Sequence, residues 1–356
     1  MEDALEPGLI WRMPEPPRKV ALVKPARIGD FICTIPAVRA LRASLQDAEI
    51  TMITLPLLED LVRRSPHLDR FEAFPGYPGM AEQFFEAGKT LRFFEKMQAE
   101  HFDLAIQFQG SGVYSNPFTL MLGARATAGF VRPGETPGRL EAALPWPERG
   151  HEVQRMLDLA VFLGAPAQGE QTEFPLWPED HAAVTQSVRA EPPWIGLHPA
   201  ARDLTRRWSP ERFAAVGAAL QKQYGGSLIV IGEAEEREAA EQILEMAAVP
   251  GMNLAGQTPL AALGALIDRL AVLVTNDTGP AHIAYALGTP TVTIFGGADP
   301  QRYGPPQEDR FRMLAHAVPC RPCSFTECPI GYVCLVNVTV DQVLEAARQV
   351  IRLSWR

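Results

Sequence analysis

The stretch Asp277-Thr-Gly-Pro-Ala-His282 is a polar turn between two apolar segments. The apolar run Leu270–Thr275 before it is typical of a buried strand, and the run Ile283–Leu287 after it is typical of a buried helix. Gly288-Thr-Pro290 then ends the helix, and Thr291–Phe295 is again typical of a buried strand. This order predicts an α/β fold in which the polar turn lies at the carboxyl end of a strand. Open α/β sheets bind their ligands at that end.

This turn has the residues of an anion-binding helix start. Gly279 can cap the helix and Pro280 can be its first residue, where the missing proline N–H costs nothing. The backbone amides of Ala281 and His282 would then be free to bind an anion such as a phosphate. The Asp277 carboxylate adds an acceptor for hydroxyl or amino groups. An ordinary polar turn before a capped helix is the alternative, and the six residues alone fit both.

The length and composition indicate a globular protein of two domains. The 356 residues suffice for two hydrophobic cores, and a net charge of −9 opposes a nucleic-acid partner, because such proteins carry a basic face. Residues 1–17 are acidic and proline-rich without the features of a signal peptide, so we predict a flexible extension. Glycines and prolines interrupt the uncharged run 278–298. We therefore predict helix, turn and strand there rather than a membrane span, and expect a cytoplasmic location.

Strands alternate with helices in two series along the chain. The first series opens with the strand Val20–Lys24 and the second with the strand Trp194–His198, and prolines punctuate residues 165–193. Two such series predict two doubly wound parallel sheets. The predicted parts are the extension 1–17, a first domain 18–170, a linker 171–192, a second domain 193–338 that ends in a cysteine-rich tail, and a terminal helix 339–356.

Four polar turns follow predicted strands, at Lys24–Asp30, His198–Arg202, Gly232–Glu236 and Asp277–His282. If the two sheets face each other, the first turn lies opposite the other three across a cleft, which suits group transfer between two substrates. Within the first turn Asp30 is the candidate general base, and such a base contributes about 10²–10⁴ in rate. The alternative is a helix-start acid that the helix dipole favours by about 0.3–1 kcal/mol.

The second half of the chain has the features of a nucleotide site. Arg206 precedes a helix start at Ser209-Pro210, where an arginine can clamp a diphosphate through two parallel hydrogen bonds. The alternative for Arg206 is a solvated surface charge. Glu235 or Glu236 follows a strand and can bind ribose hydroxyls. The sequence contains neither a Gly-x-Gly-x-x-Gly motif nor a Walker loop, which weakens dehydrogenase and nucleotide triphosphatase assignments.

Four of the five cysteines lie within fifteen residues, with the spacing Cys320-x₂-Cys323-x₄-Cys328-x₅-Cys334. Four thiolates so spaced can hold zinc or an iron–sulfur cluster, although the paired Cys-x₂-Cys knuckles of a zinc ribbon are missing. A disulfide-prone loop and four packed thiols are the alternatives. We predict no cofactor and no metal, and name this cluster as the place where a metal would bind if there were one.

Several segments, taken together, resemble those of a known protein family, although no single segment is specific enough alone. They are Arg27–Leu41, Gly196–Ala200, Asn276–His282 with Gly288–Pro290, and the Cys328-Pro329 and Cys334-Leu335 pairs of the tail. Together they resemble glycosyltransferase family 9, the ADP-heptose:lipopolysaccharide heptosyltransferase family. The resemblance extends from about Lys19 to Val350.

The resemblance implies a GT-B fold, in which two Rossmann-like domains face each other across a cleft, and a metal-independent, inverting transfer. It implies that Asp30 is the general base and that the terminal helix crosses back to the first domain. Arg206 stands where the family often has a lysine, which keeps the positive charge but changes its shape. The predicted nucleotide-sugar-binding residues are His198, Arg206, Glu235, Asp277, Thr278, Gly279 and His282. The acceptor-side candidates are Arg27, Gln109 and Ser111.

We therefore expect an enzyme that moves a sugar, by family resemblance a heptose from ADP-heptose, to a lipid-linked saccharide of the lipopolysaccharide-core type. Its partners are then the donor, the acceptor and, peripherally, the inner membrane, through apolar residues within 71–94. The alternatives are another GT-B enzyme such as a nucleotide-sugar epimerase, a sugar-nucleotide-binding protein with degenerate catalysis, and a metal-binding scaffold organised by the cysteines.

Overall fold

The computed structural model describes residues 6–354, and of residues 352–354 only the backbone. The chain divides into two compact units, Met1–Pro175 and Leu176–Arg356. Within the described residues each unit contains one six-stranded sheet, and all neighbouring strands in both sheets are parallel. The predicted α/β class with two doubly wound parallel sheets is therefore confirmed.

The first unit alternates strands with helices almost throughout. Its strands are β1 (Lys19–Val23), β2 (Glu49–Thr54), β3 (Arg70–Ala73), β4 (Leu104–Gln107), β5 (Ala126–Val131) and β6 (Ala142–Pro145). Its helices are α1 (Leu9–Arg12), α2 (Ile28–Ser44), α3 (Glu59–Arg64), α4 (Ala87–Ala99), α5 (Ser115–Leu120) and α6 (Glu152–Phe162), and a 3₁₀ turn covers Pro56–Leu58.

The strand order of the first sheet is β3-β2-β1-β4-β5-β6. This is the order of dinucleotide-binding sheets, and the direction of winding reverses between β1 and β4. In β1 the residues Val20–Val23 are fully buried, because a doubly wound parallel sheet is covered by helices on both faces. Val23 pairs with Gln107 at the ends of the two strands, so the loops after β1 and β4 leave the sheet side by side.

The second unit repeats this plan. Its strands are β7 (Trp194–His198), β8 (Ser227–Val230), β9 (Gly251–Asn253), β10 (Val272–Asn276), β11 (Thr291–Ile294) and β12 (Phe311–Leu314). Its helices are α7 (Pro178–Ser187), α8 (Pro210–Tyr224), α9 (Arg237–Ala247), α10 (Leu260–Asp268), α11 (Gly279–Leu287), α12 (Pro300–Tyr303), α13 (Val333–Val336) and α14 (Val340–Ser354). Two 3₁₀ turns cover Leu204–Arg206 and Ala234–Glu236.

The second sheet has the order β12-β11-β10-β7-β8-β9. Counted from β7, this is the same order as in the first sheet, so the winding reverses between β7 and β10. His198 at the end of β7 pairs with Thr275 of β10. The polar turns after these two strands therefore leave the sheet next to each other, at the position where doubly wound sheets bind ligands.

A buried tryptophan fixes the segment that leads from β7 into α8. The indole Nε1 of Trp208 donates to the Val338 carbonyl at 2.9 Å, and its ring meets the Phe213 ring edge to face at 5.2 Å. The Trp208 side chain is almost fully buried. Because a buried indole N–H needs an acceptor, this contact gives the segment one position relative to the sheet.

Part of the segment that was predicted to be a flexible extension packs against the first unit. In α1 the side chains of Leu9 and Ile10 are buried, and the Ile10 amide donates to the Leu163 carbonyl at 3.0 Å. The Trp11 indole Nε1 donates to the Gly164 carbonyl at 2.6 Å. These donors satisfy carbonyls at the carboxyl end of α6, which a helix leaves unpaired. Residues 8–13 of the predicted extension are therefore packed against the end of α6, and residues 1–5 lie outside the described part.

The predicted linker 171–192 contains a helix of the second unit. Pro178 is the first residue of α7, and Asp180 accepts from the Trp177 amide at 2.7 Å, which caps the helix start. Val184 is buried, and α7 packs against α10. The prolines that suggested a linker are in part the start signal of this helix, so the prediction is wrong for residues 178–187.

The terminal helix α14 packs within the second unit, and its predicted crossing back to the first domain stays a prediction. It packs against α8 and against the sheet at β10, β11 and β12. Its buried side chains are Val343, Leu344, Ala346, Ala347, Val350 and Ile351. This apolar stripe recurs at helical spacing and joins the core of the second unit, which decides where the helix packs.

The longest described helix is α2, with 17 residues. None of the helices in the described part of the chain is both long and apolar enough to span a membrane. The uncharged run 278–298 forms α11 and β11, which are separated by Gly288 in the left-handed conformation, as the sequence predicted.

Candidate functional site

The first unit places Asp30 beside the point where its strand order reverses. Helix α2 starts at Ile28, so Asp30 is the third residue of the helix and lies in its first turn. The side chain is half-buried. A carboxylate at this position is stabilised by the helix dipole whether or not it does chemistry. The helix-start position agrees with the sequence prediction, and the role of Asp30 as a base stays a prediction.

The acceptor-side candidates lie on the two loops that leave the same point. Arg27 is the N-cap residue of α2, is exposed, and has its Nε 3.4 Å from Glu82 Oε2. Gln109 and Ser111 follow β4 and are half-buried. The side-chain oxygen Oε1 of Gln109 is buried and has no hydrogen-bond partner among the described residues. A buried oxygen without a partner is unusual, and the acceptor-side role of Gln109 stays a prediction.

A buried ion pair lies beneath these loops, and no local sequence pattern marks its two members as partners. Lys24 Nζ donates to the Phe108 carbonyl at 3.1 Å and lies 3.5 Å from Glu152 Oε1, and both charged side chains are 2% exposed. Arg155 Nη1 lies 3.4 Å from Glu152 Oε2. The pair joins the ends of β1 and β4 to α6. Removal of any one of these side chains would leave a buried charge without its partner, which would strongly destabilise the fold.

In the second unit His198 is a neutral hydrogen-bonding group. It is buried at the end of β7, and its Nδ1 lies 3.2 Å from Thr275 Oγ1 and 3.1 Å from Thr278 Oγ1. Burial lowers the pKa of His198 to about 4. The imidazole is therefore uncharged near pH 7, and it links β7 to the turn after β10 through hydroxyl groups.

Asp277 is the point on which the charged groups of this turn converge. Its carboxylate is buried, with Oδ2 3.8 Å from Arg206 Nη1 and Oδ1 3.8 Å from His282 Nε2. Arg206 also lies 3.8 Å from Asp203 Oδ2, and its side chain is 37% exposed. These separations exceed hydrogen-bond length, so the guanidinium keeps N–H groups that an incoming anion can use.

The helix after Asp277 starts one residue earlier than predicted. Thr278 is the N-cap residue, with extended backbone, while Gly279 and Pro280 are the first two residues of α11. The Ala281 amide donates to the Thr278 carbonyl at 3.0 Å, so it is not free for an anion as predicted. The prediction assigned the cap to the glycine, but Thr278 holds the extended conformation in which its hydroxyl reaches His198. Pro280 still falls in the first turn, where its missing N–H is harmless.

Glu235 lies on the same edge of the sheet but not in this cluster. It is exposed in the 3₁₀ turn Ala234–Glu236, which follows β8, and β8 is the neighbour of β7. The adjacent Glu236 accepts from the Glu233 amide at 2.8 Å, and burial raises its pKa. Glu236 is therefore committed to the turn, and Glu235 remains the carboxylate that can bind a ligand.

The four clustered cysteines line one small cavity of about 20 Å³ together with Thr205 and Gly297. No disulfide joins them in the part of the chain that this structure describes, and burial raises the pKa of Cys334. Within the described residues, no group of three or more His, Cys, Asp or Glu side chains is placed to hold a metal ion. The loop is tied to the segment that precedes Arg206, because the Cys323 amide donates to the Gly297 carbonyl at 2.8 Å and the Gly297 amide to the Thr205 carbonyl at 2.8 Å.

Most of the predicted residues of the second unit come together, whereas the buried pair of Lys24 and Glu152 in the first unit was not predicted. His198, Arg206, Asp277, Thr278 and His282 come together at the reversal point of the second sheet. A partly exposed guanidinium, a neutral imidazole and a helix start form a surface that suits an anionic ligand with hydroxyl groups.

Comparison with known proteins gives a consistent result. The sequence profile of glycosyltransferase family 9 (heptosyltransferase) matches residues 90–333. Lipopolysaccharide heptosyltransferase 2 of Salmonella typhimurium is 26% identical over 347 residues, covering 92% of this chain and 97% of that protein. The Escherichia coli enzyme of the same name is 25% identical over 352 residues, with the same two coverages, 92% and 97%.

Solved structures share the fold. A family 9 glycosyltransferase from Veillonella parvula superposes with a TM-score of 0.79 at 19% identity, covering 94% of this chain and 98% of that one. The E. coli ADP-heptose lipopolysaccharide heptosyltransferase II superposes with a TM-score of 0.75 at 23% identity, covering 95% and 100%.

Proposed function

The chain belongs to glycosyltransferase family 9, and we propose that it transfers a heptose from ADP-heptose to a saccharide acceptor of the lipopolysaccharide-core type. The family resemblance noted in the sequence is thus confirmed. Support for the substrates comes from the relatives that are lipopolysaccharide heptosyltransferases and from a structural neighbour described as E. coli heptosyltransferase WaaC with ADP.

One observation carries the proposal at the level of residues. Arg206, Asp277 and the start of α11 meet where the strand order of the second sheet reverses. A nucleoside diphosphate needs a cation and N–H donors for its phosphates and acceptors for its hydroxyl groups. Arg206 supplies the cation, the first turn of α11 supplies the positive end of a helix dipole, and Glu235 is an acceptor for ribose hydroxyls.

The proposed reaction is a single displacement at the anomeric carbon of the donor sugar, which inverts its configuration and uses no metal. The Asp30 carboxylate accepts the proton of an acceptor hydroxyl, and that oxygen forms the new bond to the anomeric carbon. The bond from the anomeric carbon to the phosphate oxygen breaks, and its electron pair leaves with the diphosphate. A base that removes the proton during attack lowers the barrier, with a typical effect of about 10²–10⁴ in rate.

Residues of the second unit act on the leaving group. Negative charge grows on the diphosphate as the sugar–phosphate bond breaks, and Arg206 with the start of α11 stabilises it where it develops. The Asp277 carboxylate is buried between Arg206 and His282, so its role is to hold these two cationic or polar groups in place. His198 stays neutral and orients Thr278.

The proposed acceptor is lipid-linked, and exposed apolar residues of the first unit fit a peripheral contact with the membrane. Phe84 is 92% exposed and Leu91 is 60% exposed, and Phe85 lies next to Phe84 with 44% of its surface exposed. All three fall within the predicted range 71–94. Exposed aromatic and aliphatic side chains gain free energy when they enter the interface of a bilayer.

Vesicle sedimentation tests this contact. We expect the double variant Phe84→Ser/Leu91→Ser to bind vesicles that contain anionic phospholipid at least about tenfold more weakly, because each buried apolar side chain contributes about 1.5–3 kcal/mol. Met246→Ser is the matched control, since Met246 is a 46% exposed apolar residue of the second unit. Equal vesicle binding by the double variant and the control would contradict the membrane proposal.

A donor and turnover experiment tests the function itself. Calorimetry with ADP-, GDP- and UDP-sugars is expected to show binding of the ADP-sugar, and Arg206→Ala is expected to weaken it. ADP release that requires a saccharide acceptor is expected for a transferase, whereas an epimerase works without an acceptor and a degenerate binding protein shows no turnover. Failure of every nucleotide sugar to bind would overturn the proposal.

A further inference from the structure

Asn276 occupies a special position in the second unit, which the sequence showed only as one letter of a motif. It is the last residue of β10, directly before Asp277, and its side chain is fully buried. It therefore has no surface with which to touch a substrate. Any part that it plays in donor binding must act through the groups that it contacts.

The amide of Asn276 contacts two other segments, and both ends of the amide are used. Its Nδ2 donates to the Pro199 carbonyl at 2.7 Å and makes a longer contact of 3.4 Å with the Ala200 carbonyl. Its Oδ1 accepts from the Trp208 amide at 3.0 Å. Pro199 and Ala200 follow His198, and Trp208 follows Arg206 by two residues.

These bonds continue the pairing of the sheet beyond the ends of the strands. The ladder between β7 and β10 ends at the pair His198 and Thr275. Past that pair, the Asn276 side chain donates to the Pro199 carbonyl on one side and accepts from the Trp208 amide on the other. The amide carries N–H donors and a separate acceptor oxygen on one short, uncharged side chain, whereas an ionised Asp cannot donate and Leu can neither donate nor accept. A buried carbonyl or amide that lost its partner would be costly.

We propose that Asn276 is the positioning residue of the donor site. It holds the turn after His198, the segment of Arg206 and the turn of Asp277 at fixed separations, so that all three meet one diphosphate. This inference rests on the proposed function, because the donor is taken to be a nucleoside diphosphate sugar. It adds a residue that sets the geometry of the site without touching the donor.

The ratio of ADP affinity to AMP affinity tests this inference. Asn276→Asp keeps the acceptor for Trp208 but sets a carboxylate against the Pro199 carbonyl, so the phosphate-binding groups shift. We expect the ADP affinity to fall about tenfold, the effect of losing one buried hydrogen bond, and the AMP affinity to change less. The preference for ADP over AMP therefore falls, which a general loss of stability would not produce.

Thr289→Val is the matched control. Thr289 is also buried in the second unit, and its Oγ1 donates to the Ile267 carbonyl at 3.1 Å, away from the donor segments. This control should lose stability but keep the preference for ADP. If Asn276→Asp folds and keeps the same preference as Thr289→Val, the inference is overturned. If the unaltered protein binds neither ADP nor AMP, the proposed function fails instead.

A second measurement decides the matter if Asn276→Asp does not fold. Hydrogen exchange of the Trp208 amide is followed in the unaltered protein, with and without saturating ADP. Because this amide donates to Asn276, we expect ADP to slow its exchange at least about tenfold if the three segments bind the diphosphate as one unit. An unchanged exchange rate, in a protein that binds ADP, would overturn the inference.

Discussion

At the scale of single residues, a substitution can distinguish the two possible roles of Asp30, which are general base and helix-start acid. As a general base it contributes about 10²–10⁴ to kcat, whereas as a helix-start acid it contributes about 0.3–1 kcal/mol to the free energy of unfolding. We expect Asp30→Asn to lower kcat by about 10²–10⁴, to leave the affinity for ADP unchanged and to lower stability by less than about 1 kcal/mol. Steady-state kinetics, calorimetry and urea unfolding measure the three quantities.

Glu59→Gln is the control for the structural half of this prediction. Glu59 is the first residue of α3, another acid in the first turn of a helix of the first unit. It should lose a similar, small amount of stability with full activity. A kcat for Asp30→Asn within a factor of about three of that for Glu59→Gln would assign Asp30 to the helix rather than to the chemistry.

His198 predicts a specific dependence of stability on pH. Its pKa is lowered to about 4 in the folded protein, against about 6.5 in an unfolded chain. Between these values the unfolded chain binds a proton that the folded chain does not, so stability rises with pH through this window. The contribution is complete above about pH 6.5 and falls as the pH drops toward 4. We expect a loss of about 2 kcal/mol between pH 7 and pH 5 from this residue alone.

Urea unfolding of the unaltered protein and of His198→Asn at the two pH values measures this loss. The variant keeps a hydrogen-bonding side chain but cannot titrate, so its stability should fall less on acidification, by about that amount. His316→Asn, which removes an exposed histidine, should behave like the unaltered protein. Identical pH dependence in His198→Asn and in the unaltered protein would show that His198 titrates normally in the folded chain.

These residues mark the limit of what the sequence could predict about the site. His198, Arg206, Asp277 and His282 could be found because each lies in a polar turn that follows a strand, and strand ends can be read from apolar runs. The ion pair of Lys24 and Glu152 could not, because 128 positions separate its members and nothing local marks them as partners. A charged residue at the end of a strand is usually solvated, so its burial here depends on tertiary packing that the local sequence does not show.

At the scale of elements, the long strands and helices could be predicted from the sequence. A very short helix, and the unit against which the terminal helix packs, could not. The strands β7 and β10 and the helix α11 follow from runs of apolar residues. Helix α1 has only four residues and two buried side chains, which is too short to show a period. Helix α14 has a clear period, but a period shows which face is buried and not which unit buries it.

Helix α1 gives the test at this scale. Leu9 is 6% exposed, so Leu9→Ala is expected to lower the free energy of unfolding by about 2–3 kcal/mol through lost packing. Leu57→Ala is the control, since Leu57 is 50% exposed and should change stability by less than about 0.5 kcal/mol. Urea unfolding measures both. If the two variants were equally stable, the segment would be the flexible extension that its composition suggested.

At the scale of the whole molecule, the chain builds one sheet order twice and places polar residues at the same point of each. No short repeat is visible in the sequence, so the likeness of the two units lies in strand order and not in shared motifs. The physical reason is that a doubly wound sheet leaves a crevice where its winding reverses, and that crevice accepts whatever side chains the adjacent loops carry. The first unit carries Asp30 and Gln109 there, and the second carries His198 and Asp277.

This division of residues predicts that the nucleotide is held by the second unit. Saturating ADP at about 100 times its Kd stabilises the binding conformation by about 2.7 kcal/mol, which slows amide exchange by up to about 100-fold where opening breaks the site. We expect this slowing in residues 198–208 and 276–282, and little change in residues 24–30 and 107–112. Arg206→Ala provides the control, because it should remove the slowing at the same ADP concentration. Slowing confined to the loops after β1 and β4 would instead place the nucleotide on the first unit and reverse the assignment of donor and acceptor.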